Sequence, residues 1–127
     1  MTALATAPLE ARNARSGLVV ASRLRSTRSM WERLRGLLGH APLEAGEALL
    51  IRPCNGIHTV GMRYPIDVVF VDRAGRIVRL AREVQPLRFI PWVRRAHAVI
   101  ELPVGMIDAS CCAEGDTVEF VAAGVDA

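Results

Sequence analysis

Apolar positions recur at two different spacings along this chain, and each spacing predicts a different kind of element. Over residues 29–39 the apolar positions follow one helical face, with a capping box at Ser29 and Glu32 and a stop at Gly39. Elsewhere the apolar residues are mostly β-branched and form short runs or alternate with polar ones, which is typical of strands. The pattern therefore predicts one short early helix in a chain that is otherwise mainly β.

The strongest strand signal is the segment IDVVFVD at residues 66–72, which is apolar on both faces. Such a run predicts a central strand that is covered on both sides, and the turn at 72–75 connects it to a hairpin partner at 76–84. The intervals between strand signals are too short for repeated crossover helices, so we predict a small antiparallel barrel or sandwich. The remaining strands are predicted at residues 17–24, 47–52, 97–103 and 117–123.

The chain of 127 residues suffices for one domain. Residues 1–15 show no periodicity and predict a loose or disordered N-terminal tail, and residues 16–123 predict a single β-rich domain. Residues 85–95 contain two prolines and predict an irregular excursion between strands. A turn of helix followed by a glycine-containing turn is predicted within residues 104–116.

No apolar run approaches the ~20 residues that a membrane-spanning helix requires, and no signal-peptide order is visible at the start. The three cysteines are an odd number, and none forms a C-x-x-C pair. We therefore expect a cytoplasmic protein without membrane association. The cysteine pattern predicts neither a zinc knuckle nor a redox motif, and we predict no metal and no cofactor.

All sixteen basic residues are arginine, and their charge is unevenly distributed. Residues 1–40 carry a net charge of +5, whereas residues 41–127 carry −2. Arginine suits bidentate contacts with phosphate. However, no recognition motif accompanies this charge, so we do not expect nucleic acid as a partner.

The segment from Cys54 to Asp72 concentrates the residue types that could carry chemistry. Cys54 and His58 form one loose pair, whereas structural zinc usually needs two close pairs. Cys54 could act as a nucleophile if His58 or His97 served as its base and Asp67 oriented that base. No glycine-rich oxyanion turn surrounds Cys54, so the sequence favours a structural role for these residues over a catalytic one.

Asp67 lies inside the apolar strand, and a buried carboxylate requires a partner. Arg63 is the natural candidate, because Pro65 holds the intervening Tyr64 in an extended conformation. The structural interpretation is an ion pair that fixes the register of the turn. The functional interpretation is an exposed Arg63 that binds an anion at the mouth of a pocket.

Four blocks of this sequence carry a family resemblance: RLRGLLG (33–39), the segment 46–80, AVIELPVG (98–105) and EGDTVEF (114–120). Together they resemble the bacterial and archaeal family catalogued as domain of unknown function 192. The resemblance covers residues 17–122 and has no established activity attached to it. It implies a compact, β-rich single domain with a short early helix, and its most recognisable segment matches Met62 to Asp67. The aromatic residue that often precedes the methionine in that family is replaced here by Val60 and Gly61.

We interpret the chain as a protein of unknown function, most simply a small non-catalytic binding or accessory domain. A shallow pocket is predicted between the loop 54–65 and the excursion 85–95, and its ligand is a small anion or a protein partner. The alternative is a small metal-dependent or Cys/His enzyme centred on Cys54, His58 and Asp67. The predicted lining residues of the pocket are His58, Met62, Arg63, Asp67 and Trp92.

Overall fold

The computed structural model describes residues 9–27 and 43–122, and these ranges contain nine strands and one helical turn. The helical turn lies before the last strand. The elements are β1 (Leu9–Asn13), β2 (Val19–Thr27), β3 (Glu47–Ile51), β4 (Ile57–His58), β5 (Ile66–Val71), β6 (Ile77–Val84), β7 (Phe89–Ile90), β8 (Ala98–Leu102), α1 (Met106–Ala109) and β9 (Val118–Ala122).

Seven strands form one sheet in the order β6-β5-β8-β3-β2-β1-β9, and β4 pairs with β7 in a second, two-stranded sheet. The large sheet curls into a half-barrel. This architecture confirms the prediction of a mainly β fold. The helix predicted at residues 29–39 lies outside the described residues. Within the described part of the chain, no helix has the length and apolar character required to span a membrane.

Strands β2 and β3 are parallel, with Arg23 paired with Glu47 and Thr27 with Ile51. Every other neighbouring pair in the large sheet is antiparallel, as predicted. A parallel pair needs a crossover connection of about a dozen residues or more. Residues 28–46 supply that length between the two strands, and this pair is the one departure from antiparallel pairing in the described large sheet.

Residues 9–13 form strand β1, although the sequence predicted a loose tail over residues 1–15. β1 pairs with β9 on one side and with β2 on the other. Its fully buried positions are Ala11 and Asn13. One of these side chains is small and the other is polar, so the sequence shows no alternation of apolar and polar residues that would indicate a strand. Pairing with the two neighbouring strands decides the extended conformation instead. Residues 9–13 therefore belong to the folded domain and not to the predicted tail.

The large sheet is covered on both faces, and β5 contributes side chains to both. Val69 and Val71 join a core cluster that also contains Ile107 of α1. Val68 and Phe70 join a second cluster on the opposite face. All six residues of β5 are buried, which confirms the prediction of a strand covered on both sides. The second cluster is completed by residues outside the large sheet, namely Ile57, Met62 and Val93.

The two edge strands of the large sheet approach each other at one end, and we call this contact the seam. Arg76 and Thr117 form an isolated antiparallel bridge. The backbone amide of Ile77 donates to the carbonyl of Asp116 at 2.7 Å, and that of Val118 donates to the carbonyl of Gly75 at 2.8 Å. Gly75 has φ +85°, and a Cβ there would lie 2.7 Å from the Val118 carbonyl oxygen, so this close approach requires glycine.

A buried carboxylate, Asp116, joins β1 to the turn before β9. Arg15 donates to it from Nε at 2.7 Å and from Nη2 at 3.0 Å, and Asn13 donates from Nδ2 at 3.1 Å. The hydrogen bond from Arg15 lowers the pKa of Asp116 to about 2, with help from the Ala113 amide and Asn13 and against the opposing effect of burial. The same hydrogen bond raises the pKa of Arg15. The first strand is thus tied to the last turn.

This carboxylate predicts a stability change in acid. A carboxyl whose pKa is lower in the folded chain stabilises the fold above its unfolded pKa, and that contribution is lost as pH falls through the folded value. We therefore expect Asp116→Asn to be less stable than wild type at neutral pH, with the difference shrinking from about pH 4 to about pH 2. Urea unfolding across this range measures it. Arg15→Gln should remove most of the same pH dependence, and a difference that stays constant down to pH 2 would contradict the assignment.

Candidate functional site

The candidate site rests on the loop 54–65 and the excursion 85–95, which the sequence predicted as neighbours. The short strands β4 and β7 join them through the pairs Ile57–Ile90 and His58–Phe89. The amide of Val93 adds a hydrogen bond to the carbonyl of Asn55 at 2.7 Å. The inward side chains of both segments cover the second core cluster. The two segments therefore form one layer over the outer face of the half-barrel.

Thr59 is the main polar contact between these segments. Its side chain is fully buried, and its hydroxyl donates to the carbonyl of Gln85 at 2.7 Å while accepting from the amide of Arg88 at 2.8 Å. Its backbone amide donates to the carbonyl of Arg88, and its carbonyl accepts from the amide of Leu87. The start of the excursion is thus held at four points by one residue.

Gly56 allows the backbones of the two segments to come close. A Cβ at this position would lie 2.8 Å from the carbonyl oxygen of Ile90, 3.0 Å from Cα of Pro91 and 3.1 Å from the amide nitrogen of Trp92. These neighbours are backbone atoms, so no rotation of a side chain could make room. The end of the excursion therefore needs glycine opposite it.

The outward side of the excursion carries three large apolar residues, which we call the apolar ridge: Leu87, Phe89 and Trp92. Their exposed fractions are 67%, 69% and 83%. Leu87 has φ 64° and Trp92 has φ 48°, a left-handed conformation that costs a non-glycine residue about 1–3 kcal/mol. Single exposed apolar residues are common, but three within one short, well-anchored segment form an unusual surface.

The predicted pocket residues other than Asp67 are distributed around this layer. The His58 ring lies beside that of Phe89, with centroids 6.1 Å apart and planes tilted by 40°. Met62 is buried in the second core cluster beneath the loop. Trp92 stands on the ridge, and Arg63 is exposed in the turn before Pro65. The layer therefore brings His58 and Trp92 onto its outward side and places Met62 beneath it.

Asp67 is a structural anchor, and the predicted ion pair with Arg63 is wrong. Its buried carboxylate accepts hydrogen bonds from three backbone amides, which belong to Glu83 at 2.9 Å, Gly105 at 3.0 Å and Ile107 at 3.1 Å. Asp67 alternates with Val69 and Val71, so it faces the side of the sheet on which α1 lies. The first amides of a helix have no partner within the helix, and Asp67 supplies it.

The alternative centre of Cys54, His58 and Asp67 is not assembled. These residues do not form a group that could hold a metal ion, and no other set of His, Cys, Asp and Glu does so in the described part of the chain. The Cys54 thiol donates to the carbonyl of Gly56 at 2.9 Å. Cys54 and His97 do share an open cavity of about 290 Å³, but Asp67, whose carboxylate binds backbone amides, is not among the residues that line it.

The other two cysteines differ in exposure although they are adjacent. All three cysteines of the chain are free thiols. Cys111 is exposed with φ 55°, whereas Cys112 is buried in the first core cluster. Burial raises the pKa of the Cys112 thiol, and a contact with Ser110 opposes this effect. Cys112 therefore acts as a small apolar core residue rather than as a thiolate.

A cavity of about 480 Å³ lies at the end of the excursion, and sequence reasoning did not predict it. Three arginines line it, and we call it the arginine cavity. It is formed at the seam by segments that are distant in sequence, so the adjacent arginines 94 and 95 were the one visible signal. Its lining residues are Arg76, Ile77, Val78, Arg94, Arg95, Glu114 and Gly115.

Comparison with known proteins gives a match over most of the chain. The family model described as DUF192, uncharacterized ACR, matches residues 11–120. A UPF0127 protein from Thermococcus sibiricus is 31% identical over 113 residues, which cover 85% of this chain and 72% of that protein. The matched region contains every element from β2 to β8 as well as the layer that carries the apolar ridge.

Two solved structures have a similar fold. A protein of unknown function from Novosphingobium aromaticivorans has a TM-score of 0.72 and 24% identity, covering 88% of this chain and 83% of that one. A putative transcription regulator from Sinorhizobium meliloti has a TM-score of 0.74 and 18% identity, covering 91% and 95%. At these identities the similarity shows the fold alone.

Proposed function

This chain belongs to the DUF192 family of uncharacterised proteins, and from that premise we propose that it is a non-catalytic binding domain acting in the cytoplasm. Its contact surface in this proposal is the apolar ridge, and its partner is a protein. Three free cysteines fit a reducing compartment and support the cytoplasmic assignment. The observation that carries the binding proposal is the exposure of the ridge on a firmly held backbone.

The ridge has no role in the core of the domain. Ile90 and Val93 are the residues of the excursion that pack inward against the second core cluster. Leu87, Phe89 and Trp92 face away from it and remain largely exposed. Anchoring by Thr59 and Gly56 fixes the backbone from which these side chains project, so little conformational entropy is lost when a partner binds.

The composition of the ridge favours a protein partner. Tryptophan and arginine are enriched among residues that dominate protein interfaces. The excursion contains Arg88, Arg94 and Arg95 and no acidic residue. A complementary partner therefore has an apolar pocket with an acidic rim. In this proposal His58 extends the surface beside Phe89, and Arg63 supplies an accessory contact.

Selection from a random peptide library displayed on phage tests the proposal. We expect the wild-type domain to select peptides that combine apolar and acidic residues, with binding then measured by fluorescence anisotropy. Phe89→Ser with Trp92→Ser should weaken that binding by about tenfold or more, because the central apolar contacts are lost. Val104→Ser is the matched control, since Val104 is also exposed, at 46%, but lies outside the excursion.

Two results would overturn the proposal. One is the absence of selected peptides for wild type, and the other is equal peptide binding by the double variant. A single-stranded oligonucleotide that binds the ridge with strong salt dependence would instead assign the surface to nucleic acid. Because both substituted residues are exposed, urea unfolding of the double variant should match that of wild type and exclude loss of folding as the cause.

A further inference from the structure

We propose that the arginine cavity binds a phosphate group, either as orthophosphate or as a phosphomonoester. The site goes beyond the proposed protein interface, because it combines Arg94 and Arg95 of the excursion with Arg76 and Glu114 at the seam. Its volume of about 480 Å³ lies within the range of small-molecule sites, about 300–1,000 Å³. Three arginines line it from two separate parts of the chain, one directly before β6 and two at the end of the excursion.

Arg76 is fixed by its backbone and by one side-chain contact. Its amide donates to Oδ1 of Asp72 at 2.9 Å, and its Nε donates to the carbonyl of Gly115 at 3.4 Å. The bridge to Thr117 holds the same residue at the seam. Its two terminal nitrogens make no hydrogen bond or ion pair with the described residues. These donors are therefore available to a ligand in the cavity.

Arg94 and Arg95 occupy the two central positions of a tight turn. The amide of Ala96 closes this turn on the carbonyl of Val93 at 3.1 Å. Arg95 has φ 69°, a conformation in which glycine would be easier than arginine. Both arginine side chains are exposed, and neither makes a hydrogen bond or an ion pair with a described residue. Strain of this kind is concentrated at ligand sites.

The charge of the cavity is unbalanced. Its lining residues include three arginines and one glutamate, Glu114, so their formal charges sum to +2. Glu114 forms no ion pair with an arginine in the part of the chain that the structure describes. A dianion would relieve the repulsion among the arginines. Guanidinium groups match phosphate oxygens in bidentate geometry, and the apolar Val78, which also lines the cavity, provides a wall for the organic part of an ester.

Titration of the labelled protein with sodium phosphate, followed by amide NMR at constant ionic strength, tests this site. We expect saturable shifts at the amides of Ile77, Arg95 and Gly115. Arg94→Gln with Arg95→Gln should weaken phosphate binding by about tenfold or more. Arg79→Gln with Arg88→Gln removes the same charge from exposed positions outside the cavity and should change the affinity by less than about twofold.

A second variant adds an effect of opposite sign. Glu114→Gln should tighten phosphate binding severalfold, because it removes the one negative charge of the lining. A parallel titration with phenyl phosphate distinguishes the two ligands. If phenyl phosphate binds more tightly than orthophosphate and also shifts the amide of Val78, the natural ligand is a phosphomonoester. If the two bind with equal affinity, the site is assigned to orthophosphate. Shifts that do not saturate, that chloride reproduces, or that both double variants reduce equally would overturn the site. Arg88, Arg94 and Arg95 also supply the positive charge of the excursion, so these variants can weaken peptide binding as well. Phe89→Ser with Trp92→Ser separates the two proposals, because neither residue lines the cavity and phosphate affinity should equal that of wild type.

Discussion

Replacing Asp67 with alanine is expected to lower the free energy of unfolding by about 3 kcal/mol or more, the largest effect of any substitution considered for this protein. The carboxylate accepts hydrogen bonds from the amides of Glu83, Gly105 and Ile107, and it is almost fully buried. Alanine would leave these donors without their partner in a dry environment, at about 1–3 kcal/mol for each group that water cannot reach. It would also release α1 from the sheet.

Urea unfolding of Asp67→Ala measures this loss, and Asp108→Ala is its control. Asp108 pairs with Arg82 at 2.9 Å, but both side chains are largely exposed, at 72% and 51%. An exposed pair contributes about 0–1 kcal/mol, so the control should be close to wild type. Comparable small losses in both variants would show that Asp67 does not anchor α1. The amides of Gly105 and Ile107 should also lose protection from hydrogen exchange in Asp67→Ala alone.

Gly56→Ala is expected to displace the excursion from the loop and to destabilise the domain by about 1–3 kcal/mol, the usual cost of inserting a methyl group into a close contact. The added Cβ would lie 2.8 Å from the carbonyl oxygen of Ile90 and 3.0 Å from Cα of Pro91. Because Trp92 follows directly, the ridge should move with the backbone. Peptide binding at the ridge should then fall even though no ridge residue is changed.

Asn55→Ala provides the matched control for Gly56→Ala. Asn55 is exposed and contacts the excursion through its backbone carbonyl, which accepts a hydrogen bond from the amide of Val93 at 2.7 Å. Alanine has the same backbone carbonyl, so this hydrogen bond remains in the variant. Hydrogen exchange of the Val93 and Thr59 amides reports whether the two segments separate. Protection should fall in Gly56→Ala and remain in Asn55→Ala. Unchanged protection and unchanged peptide binding in both variants would show that the close approach at Gly56 does not position the ridge.

The hairpin of the domain could be predicted from the sequence because its signals are local. Residues 66–72 are continuously apolar, and the turn that follows contains an aspartate and a glycine at the expected positions. In the structure the Asp72 side chain accepts hydrogen bonds from the backbone amides of Ala74 and Arg76, as is typical of such a turn. Strand β5 and its partner β6 follow directly from these features.

The partner of Asp67 could not be predicted, because the relevant donors are backbone amides far along the chain. Gly105 is 38 residues away from Asp67. Every residue except proline has a backbone amide, so the residue type does not reveal which amide donates. Arg63 is the nearest basic residue in the sequence, which is why the sequence wrongly indicated it as the partner of Asp67. β1 was missed for a related reason, since Ala11 and Asn13 are buried only through pairing with β2 and β9.

The candidate surfaces were predictable in part. The sequence placed the loop 54–65 beside the excursion 85–95 and singled out His58 and Trp92. It gave no sign that Leu87 and Trp92 adopt left-handed conformations, because that region usually signals glycine or asparagine. The arginine cavity depends on the meeting of two sheet edges, which only the three-dimensional arrangement reveals.

The seam between the first and last parts of the sheet also bears on self-association. Open strand edges offer unpaired amides and carbonyls to other chains, which can then add strands and aggregate. Here the backbone groups of Gly75 and Ile77, at the start of β6, are already bonded to Val118 and Asp116. This end of the half-barrel therefore protects itself against intermolecular strand addition by pairing its own two margins.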